Sequence, residues 1–341
     1  MSIVILYNVG VQLADKLLAQ IEQGKLPPRR AALVVAVSGG VDSMSLLYLL
    51  VALAAKYDWR LIVAHLNHQL RRRAAGDERW VKDVGRRLGL SVVTNSVTVR
   101  SLAKRQKLTL EEAGRKARYD FLHRVAKRYH AKAIVVAHTA DDQVETVMMN
   151  WLRGAGVRGL SGMSEWQGSI WRPLLRATKA DLKRLSKTLH FGYREDETNR
   201  QTVYTRNRIR HQVLPMLRRV SPQIDEVILR NADNLSGLED LLGVYLAQSK
   251  KVVKLRRGRG SVSFRLALFN KLHPYLQNEL LLWTIGEVRG SRQDYKSIHI
   301  AEMRKVINSK NPTSYKQLPG KLFLIKAYDK ISVSRFKPKD R

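Results

Sequence analysis

The feature that most constrains this chain is a junction. Residues 32–37 read ALVVAV, a continuous apolar run rich in β-branched side chains. It stops at Ser38-Gly39-Gly40, and residues 43–56 follow as an equally apolar stretch of helical length. A run apolar at every position suits a strand covered on both faces, as in a parallel sheet. The alternation recurs: residues 61–65, 91–94 and 133–137 read as strands, and residues 77–88, 111–129 and 141–153 as helices. This pattern predicts βαβ units and an α/β fold with a doubly wound, mostly parallel sheet. In such sheets ligands bind beyond the carboxyl ends of the strands. Two of those ends carry polar clusters, SGGVDS and HTADD.

The pattern changes after about Pro215. Residues 222–248 look helical, the basic run KKVVKLRRGRG covers 250–260, and helices are expected at 274–288 and 296–307. The end alternates apolar and polar residues around a turn at Pro319-Gly320, which suits short strands. The 341 residues are enough for about two domains. The expected division is a catalytic domain at 1–218 and a smaller α-rich domain at 219–341 that ends in short strands.

SGGVDS has a chemical reading. Gly39 and Gly40 let the backbone approach a phosphate, and the N–H groups of the helix that follows face an anion. Ser38 and Ser43 add hydroxyls around Val41. Asp42 would repel a phosphate unless Mg²⁺ bridges the two. The structural alternative is a tight strand–helix turn with Ser and Asp as caps. No GxxxxGK[ST] is present. The GxGxxG at Gly154, Gly156 and Gly159 follows a helix rather than a strand, so it reads as a flexible loop.

Charge and cysteine then narrow the partners. The chain has 62 Lys plus Arg against 29 Asp plus Glu, a net +33, and no cysteine. The charge points to a polyanion, foremost a nucleic acid. The missing thiols remove disulfides, thiolate zinc sites and iron–sulfur clusters. No apolar stretch approaches the ~18–20 residues of a membrane span, and the N-terminus does not read as a signal peptide. A soluble cytoplasmic protein is expected.

SGGxDS after a first strand resembles the PP-loop of ATP pyrophosphatases, which cleave ATP between the α and β phosphates and adenylate a substrate oxygen. Within that family, AHLNHQLR (64–71), EEAGRKARYDFL (111–122), AHTADDQVETVMMNWLRGAGVRGLSGM (137–163), RPLL (172–175), EDETN (195–199) and TRNRIRHQVLP (205–215) resemble the tRNA(Ile)-lysidine synthetases. The tail LPGKLFLIKAYDKISVS is similar to their first C-terminal domain. The resemblance implies the short type, without the second C-terminal domain of longer members. Many members have Asp where Asn67 stands, so that position is given no charge-dependent role. Lack of cysteine argues against tRNA-thiolating members, and small-molecule synthetases give no reason for +33.

The resemblance implies the substrates ATP, with Mg²⁺, L-lysine and a CAU-anticodon isoleucine tRNA. ATP would adenylate the C2 oxygen of the wobble cytidine. The lysine ε-amine would then attack C2, and AMP would leave. Ser38 to Ser43, His65 and His138 would hold ATP, with Asp42 carrying Mg²⁺ through the phosphates. Asp142 and Glu145 share a helix face and would hold lysine. Their structural alternative is first-turn acid on a helix dipole. Arg115 resembles the family arginine near the ATP and lysine sites. Of Arg206, Arg208 and Arg210, one is expected to contact the phosphates or the intermediate, and Arg208 is favoured. Arg71, Arg72, Lys250, Lys251, Arg256 and Arg257 would contact the tRNA backbone, positioning it without reading sequence. No membrane is expected, and a homodimer is left open. The alternatives are another PP-loop ligase acting on a small acid or amide, or a non-catalytic tRNA-binding protein.

Overall fold

The computed structural model describes residues 11–69, 74–194, 205–291, 295 and 297–338. Arg71, Arg72 and the EDETN segment lie outside the described residues. The chain divides into two compact units, Met1–Ser236 and Gly237–Arg341.

In the first unit α1 (Val11–Gln23), β1 (Ala32–Ala36), α2 (Val41–Tyr57), β2 (Arg60–Asn67), α3 (Ala74–Arg87) and β3 (Ser91–Ser96) are followed by α4 (Val99–Gln106), α5 (Leu110–Arg128), β4 (Ala133–Val135) and α6 (Ala140–Leu152). Then come α7 (Val157–Leu160), the two-residue strands β5 (Trp166–Gln167) and β6 (Ile170–Trp171), and α8 (Lys179–Thr188). Helix α9 (Thr205–Arg208) runs through a π-helical turn, Ile209–Val213, into α10 (Leu214–Val220), and α11 is Ile224–Val252. The division between the units falls within α11.

The six strands form one sheet in the order β3-β2-β1-β4-β6-β5. All pairs are parallel except β5 with β6. The expected doubly wound, mostly parallel α/β sheet is therefore present. Strand β1 shows why its sequence is apolar throughout. Leu33 and Val35 pack in one core with Leu46, Leu50 and Trp171 from one face. Ala32 and Val34 pack with Phe121, Val125 and Ile134 on the other. Side chains of a strand alternate in direction, so a strand buried on both faces leaves no position for a polar residue. Val35 pairs with both Val63 and Val135. That register ends β1 and β4 at one level and brings the segments beyond them together.

The GxGxxG stretch is not an open loop. Gly156 caps the four-residue helix α7, and the Asn150 side-chain amide donates to the Gly159 carbonyl at 2.7 Å.

In the second unit β7 (Arg256–Gly258), β8 (Ser261–Arg265), α12 (Leu266–Phe269), α13 (Pro274–Arg289) and α14 (Ser297–Ile307) precede β9 (Thr313–Leu318), β10 (Leu322–Ala327) and β11 (Lys330–Ser334). The expected terminal strands are joined by the hairpin β7–β8 into a five-stranded antiparallel sheet, β7-β8-β11-β10-β9. Its apolar side packs Phe264, Leu324 and Val333 against Leu281, Ile285 and Met303. The basic run of 250–260 thus ends a helix and starts a sheet. Among the described residues no helix is long and apolar enough to cross a membrane.

Trp171 is 0% exposed, stacks on Trp166 with ring centres 5.7 Å apart and meets Trp59 edge-on. Trp171→Ala is expected to lose roughly 3–5 kcal/mol, read from urea midpoints. A loss below about 1 kcal/mol would show that the edge strand does not depend on this aromatic stack.

Candidate active site

The site begins at the end of β1. Gly39 has φ +95°, a conformation open to glycine at little cost. The Ser43 hydroxyl folds back under the loop. It accepts from the Ser38 and Gly39 N–H groups at 3.2 Å each and donates to the Gly40 carbonyl at 3.0 Å. The Ser38 hydroxyl lies 3.1 Å from it. Ser43 therefore sets the loop's shape. Helix α2 opens at Gly40 with no side-chain cap, whereas α5, α6 and α8 each start with a Thr capping box. An uncapped helix N-terminus beside Val41 and Asp42 leaves backbone donors for an external anion.

His65 is buried at the end of β2, and its Nδ1 lies 2.8 Å from the Val37 carbonyl. A carbonyl can only accept, so Nδ1 carries the proton. Burial holds His65 below its ordinary pKa. Its observed contact ties β2 to the start of the loop.

Asp42 lies in the first turn of α2. Its Oδ1 is buried with no hydrogen-bond partner among the described residues, and burial pushes the carboxyl up to about 6 against the pull of Lys179. An orphaned carboxylate oxygen beside an uncapped helix end fits Mg²⁺, which takes one or two carboxylates and completes its shell with phosphates and water.

At the start of α6, Asp142 and Thr139 form the capping box. Asp142 Oδ2 accepts from the Thr139 N–H and hydroxyl, both at 3.0 Å. The structural alternative for Asp142 thus holds for one of its oxygens. The other, Oδ1, lies 3.1 Å from Arg206, 3.5 Å from Arg210 and 3.6 Å from the Lys179 ammonium. The Glu145 side chain is 2% exposed and is held by Arg206 Nε at 2.7 Å and Arg210 Nε at 2.5 Å. Burial alone would raise Asp142, yet Lys179 and Arg206 hold it below the ordinary carboxylate range.

His138 follows β4. Its Nδ1 lies 3.2 Å from Arg172 Nε, and burial holds it down at about 4, so it is neutral near pH 7. Arg172 is 2% exposed and also donates to the Ser164 carbonyl and the Gln167 side chain.

The structure thus brings together Ser38 to Ser43, Asp42, His138, Asp142 and Glu145. Arg115 is exposed on α5, 5.0 Å from the Tyr119 ring. Arg208 is also exposed, and its neighbours Arg206 and Arg210 hold the acids instead. Their spacing carried the signal. Residues four apart share a helix face, whereas one two places along points away. Lys179 had no such signal, because it sits inside a capping box, Thr178 to Asp181. In the second unit Lys250 lies 3.8 Å from the Trp283 ring centre, Arg257 pairs with Glu287 at 2.7 Å, and Lys251 and Arg256 are exposed.

Asp42 gives a pH prediction. Its folded pKa is raised, so the folded state holds the extra proton between about pH 4 and pH 6 and loses stability as pH rises through that window. Asp42→Asn removes this loss. The variant is expected to exceed the parent in stability by roughly 2 kcal/mol at pH 7.5, with the gain shrinking below pH 6. Urea midpoints that move in parallel across this range would contradict the shift.

Comparison with known proteins places these features. A family model for the PP-loop domain matches residues 11–217. A tRNA(Ile)-lysidine synthase from Geobacter sulfurreducens is 33% identical over 306 residues, covering 89% of this chain and 64% of that protein. One from Bacillus thuringiensis subsp. konkukian is 30% identical over 324 residues, covering 92% and 67%. The chain thus spans about two thirds of the length of these relatives. A solved U34-tRNA thiolase from Methanococcus maripaludis shares the fold, with TM-score 0.55 and 16% identity over 65% of this chain and 78% of that one. On the matched loop, sheet and extent of similarity, the chain belongs to the PP-loop family and, within it, to the tRNA(Ile)-lysidine synthases.

Proposed function

We propose that the chain ligates L-lysine to C2 of the wobble cytidine of a CAU-anticodon isoleucine tRNA, using ATP and releasing AMP and pyrophosphate. The observation that carries this reading is the pairing of an uncapped helix N-terminus with a buried acidic cluster at the same strand ends. One suits phosphate, and the other suits an ammonium group.

In this reading the backbone donors of 38–43 and the α2 terminus hold the ATP phosphates. Asp42 would hold Mg²⁺, which when bound would supply positive charge to neutralise the phosphates. The C2 oxygen of cytidine is a poor leaving group, and adenylation makes it a good one. Lysine enters as a cation. Arg206 and Arg210 occupy Glu145 with short hydrogen bonds. Lys179 stands 3.6 Å from Asp142 and 4.0 Å from Asp42, beyond hydrogen-bond length. Its place is the one a substrate ammonium takes with least loss. The attacking amine must then be neutral, and the guanidinium groups of Arg206 and Arg210 favour release of its proton.

The test is incubation with ATP, Mg²⁺, labelled lysine and a CAU isoleucine tRNA transcript. Lysine is expected on the anticodon cytidine, one AMP formed for each lysine attached. Cleavage of ATP with a small acceptor and no tRNA would favour another PP-loop ligase. Tight tRNA binding without AMP would favour a non-catalytic binder. Asp42→Asn is expected to abolish AMP formation and largely keep tRNA binding, and equal activity would remove Asp42 from the mechanism.

The net +33 is read as the footprint of tRNA phosphates, and the whole +33 need not contact them. Lys250 and Arg257 are engaged with Trp283 and Glu287, so the exposed Lys251 and Arg256 are the stronger phosphate ligands. Replacing Lys251 and Arg256 by Ala is expected to weaken tRNA binding and reduce the salt slope by about 1 per charge lost. An unchanged slope would make this run an ordinary solvated surface.

A further inference from the structure

His138 and Arg172 form a part-buried pair, and the reaction as described gives Arg172 no role. Residues 133–135 of β4 lie between β1 and β6. The segments beyond those three strands carry the Ser38 loop, His138 and Arg172, respectively. Arg172 Nε points at His138 Nδ1 at 3.2 Å. A guanidinium has donors only and keeps its proton. In this pair Nδ1 must therefore be the acceptor, and the ring's one proton belongs on Nε2. Arg172 is itself fixed by the Ser164 carbonyl at 2.9 Å and Gln167 at 2.8 Å. The fork is thus aimed from behind the site and is 2% exposed.

We propose that Arg172 is a positioning residue that locks His138 as the neutral Nε2–H form, so that His138 donates a hydrogen bond to an oxygen of the bound nucleotide and does not act as a base. That oxygen is a phosphate oxygen of ATP or the C2 oxygen of the adenylated cytidine. Both are acceptors, and a neutral N–H serves either. The choice of oxygen rests on the function proposed above, while the tautomer does not.

The surroundings agree. Asp142 on α6 favours protonation of His138, whereas Arg172, Arg206 from α9 and Arg115 from α5 oppose it. Tyr119 stands beside Arg172 on the α5 side. Burial outweighs Asp142, so the ring remains neutral. His65 is the internal contrast. Its Nδ1 faces a carbonyl acceptor, which requires the opposite tautomer. Two histidines at one site are thus set in opposite hydrogen-bonding roles by what each Nδ1 meets.

The direct test is long-range ¹H–¹⁵N correlation NMR on the full chain with labelled histidine, the His138 signals being those missing from His138→Gln. The wild type is expected to show an unprotonated Nδ1 and a protonated Nε2 from pH 8 to below pH 6. An Nδ1–H tautomer or an imidazolium at pH 7 overturns the proposal without any variant. Arg172→Met is expected to give mixed tautomers and an apparent pKa that moves up while burial still holds it below the ordinary histidine value. Arg172→Lys, which keeps a donor, should retain more of the wild-type pattern.

Activity supplies the second arm. Gln places an N–H where Nε2 stands and cannot act as a base. His138→Ala should lower lysine transfer about 10²-fold, with His138→Gln recovering to within about tenfold of wild type. Equal loss in both variants overturns the donor role. A loss expressed in ATP binding alone selects the phosphate oxygen, and a loss in the tRNA-dependent step selects the C2 oxygen. Failure of the wild type to transfer lysine would count against the proposed function, and the tautomer measurement would still decide this inference.

Discussion

Glu145 is the fixed point of the site. A carboxylate 2% exposed would be strongly disfavoured alone, and removal of one partner from a buried pair is costly for the same reason. Here two guanidinium groups, Arg206 and Arg210, take both of its oxygens. The consequence is mechanical as well as electrostatic. Helix α6 begins beyond β4, and the α9 segment with its π-helical turn is distant in sequence. The clamp joins them, and an apolar cluster of Val144, Met148, Ile209 and Leu214 packs the same pair of elements. Chain segments some sixty residues apart are thereby set in one orientation about Asp142.

From that point outward the charges are held less and less tightly. Glu145 has two short hydrogen bonds to arginine, and Asp142 divides its oxygens between its own capping box and the cations. Among the described residues Asp42 has a distant Lys179 as its ion partner and one orphaned oxygen. This gradient orders the functions proposed for them. In the proposed reading the tightest carboxylate would serve as scaffold, the intermediate one would exchange a substrate cation, and the loosest would hold a metal ion against phosphate. In a chain of net +33 the few buried acids are informative because each needs a reason to be ionised.

Much of the first unit was legible in the sequence. Its central strands β1, β2 and β4 are buried, which forces continuous apolar runs, and its helices carry the expected lengths. The two-residue strands β5 and β6 were not legible, since two residues carry no period. Nor was the hairpin of Arg256 to Arg265. Its β7 strand is exposed throughout, and pairing with a strand some seventy residues away creates the sheet. At the site, the resemblance to the lysidine synthetases pointed to Asp42, Asp142 and Glu145, whereas spacing alone left Asp142 and Glu145 readable as first-turn acid on a helix dipole. Arg208 was favoured for its place in NRIRH, and the fourfold spacing of Arg206 and Arg210 pointed more directly at the acids. Lys179 and the Arg172–His138 contact arise from tertiary packing alone, which no local pattern encodes.

The clamp on which the site depends is tested most directly by a double-mutant cycle in stability between Glu145→Gln and Arg210→Gln. A shared buried interaction predicts that each single change destabilises strongly and that the pair costs at least ~2 kcal/mol less than the sum of the singles. Additivity within about 0.5 kcal/mol would contradict it and would make Glu145 and Arg210 neighbours without a common role.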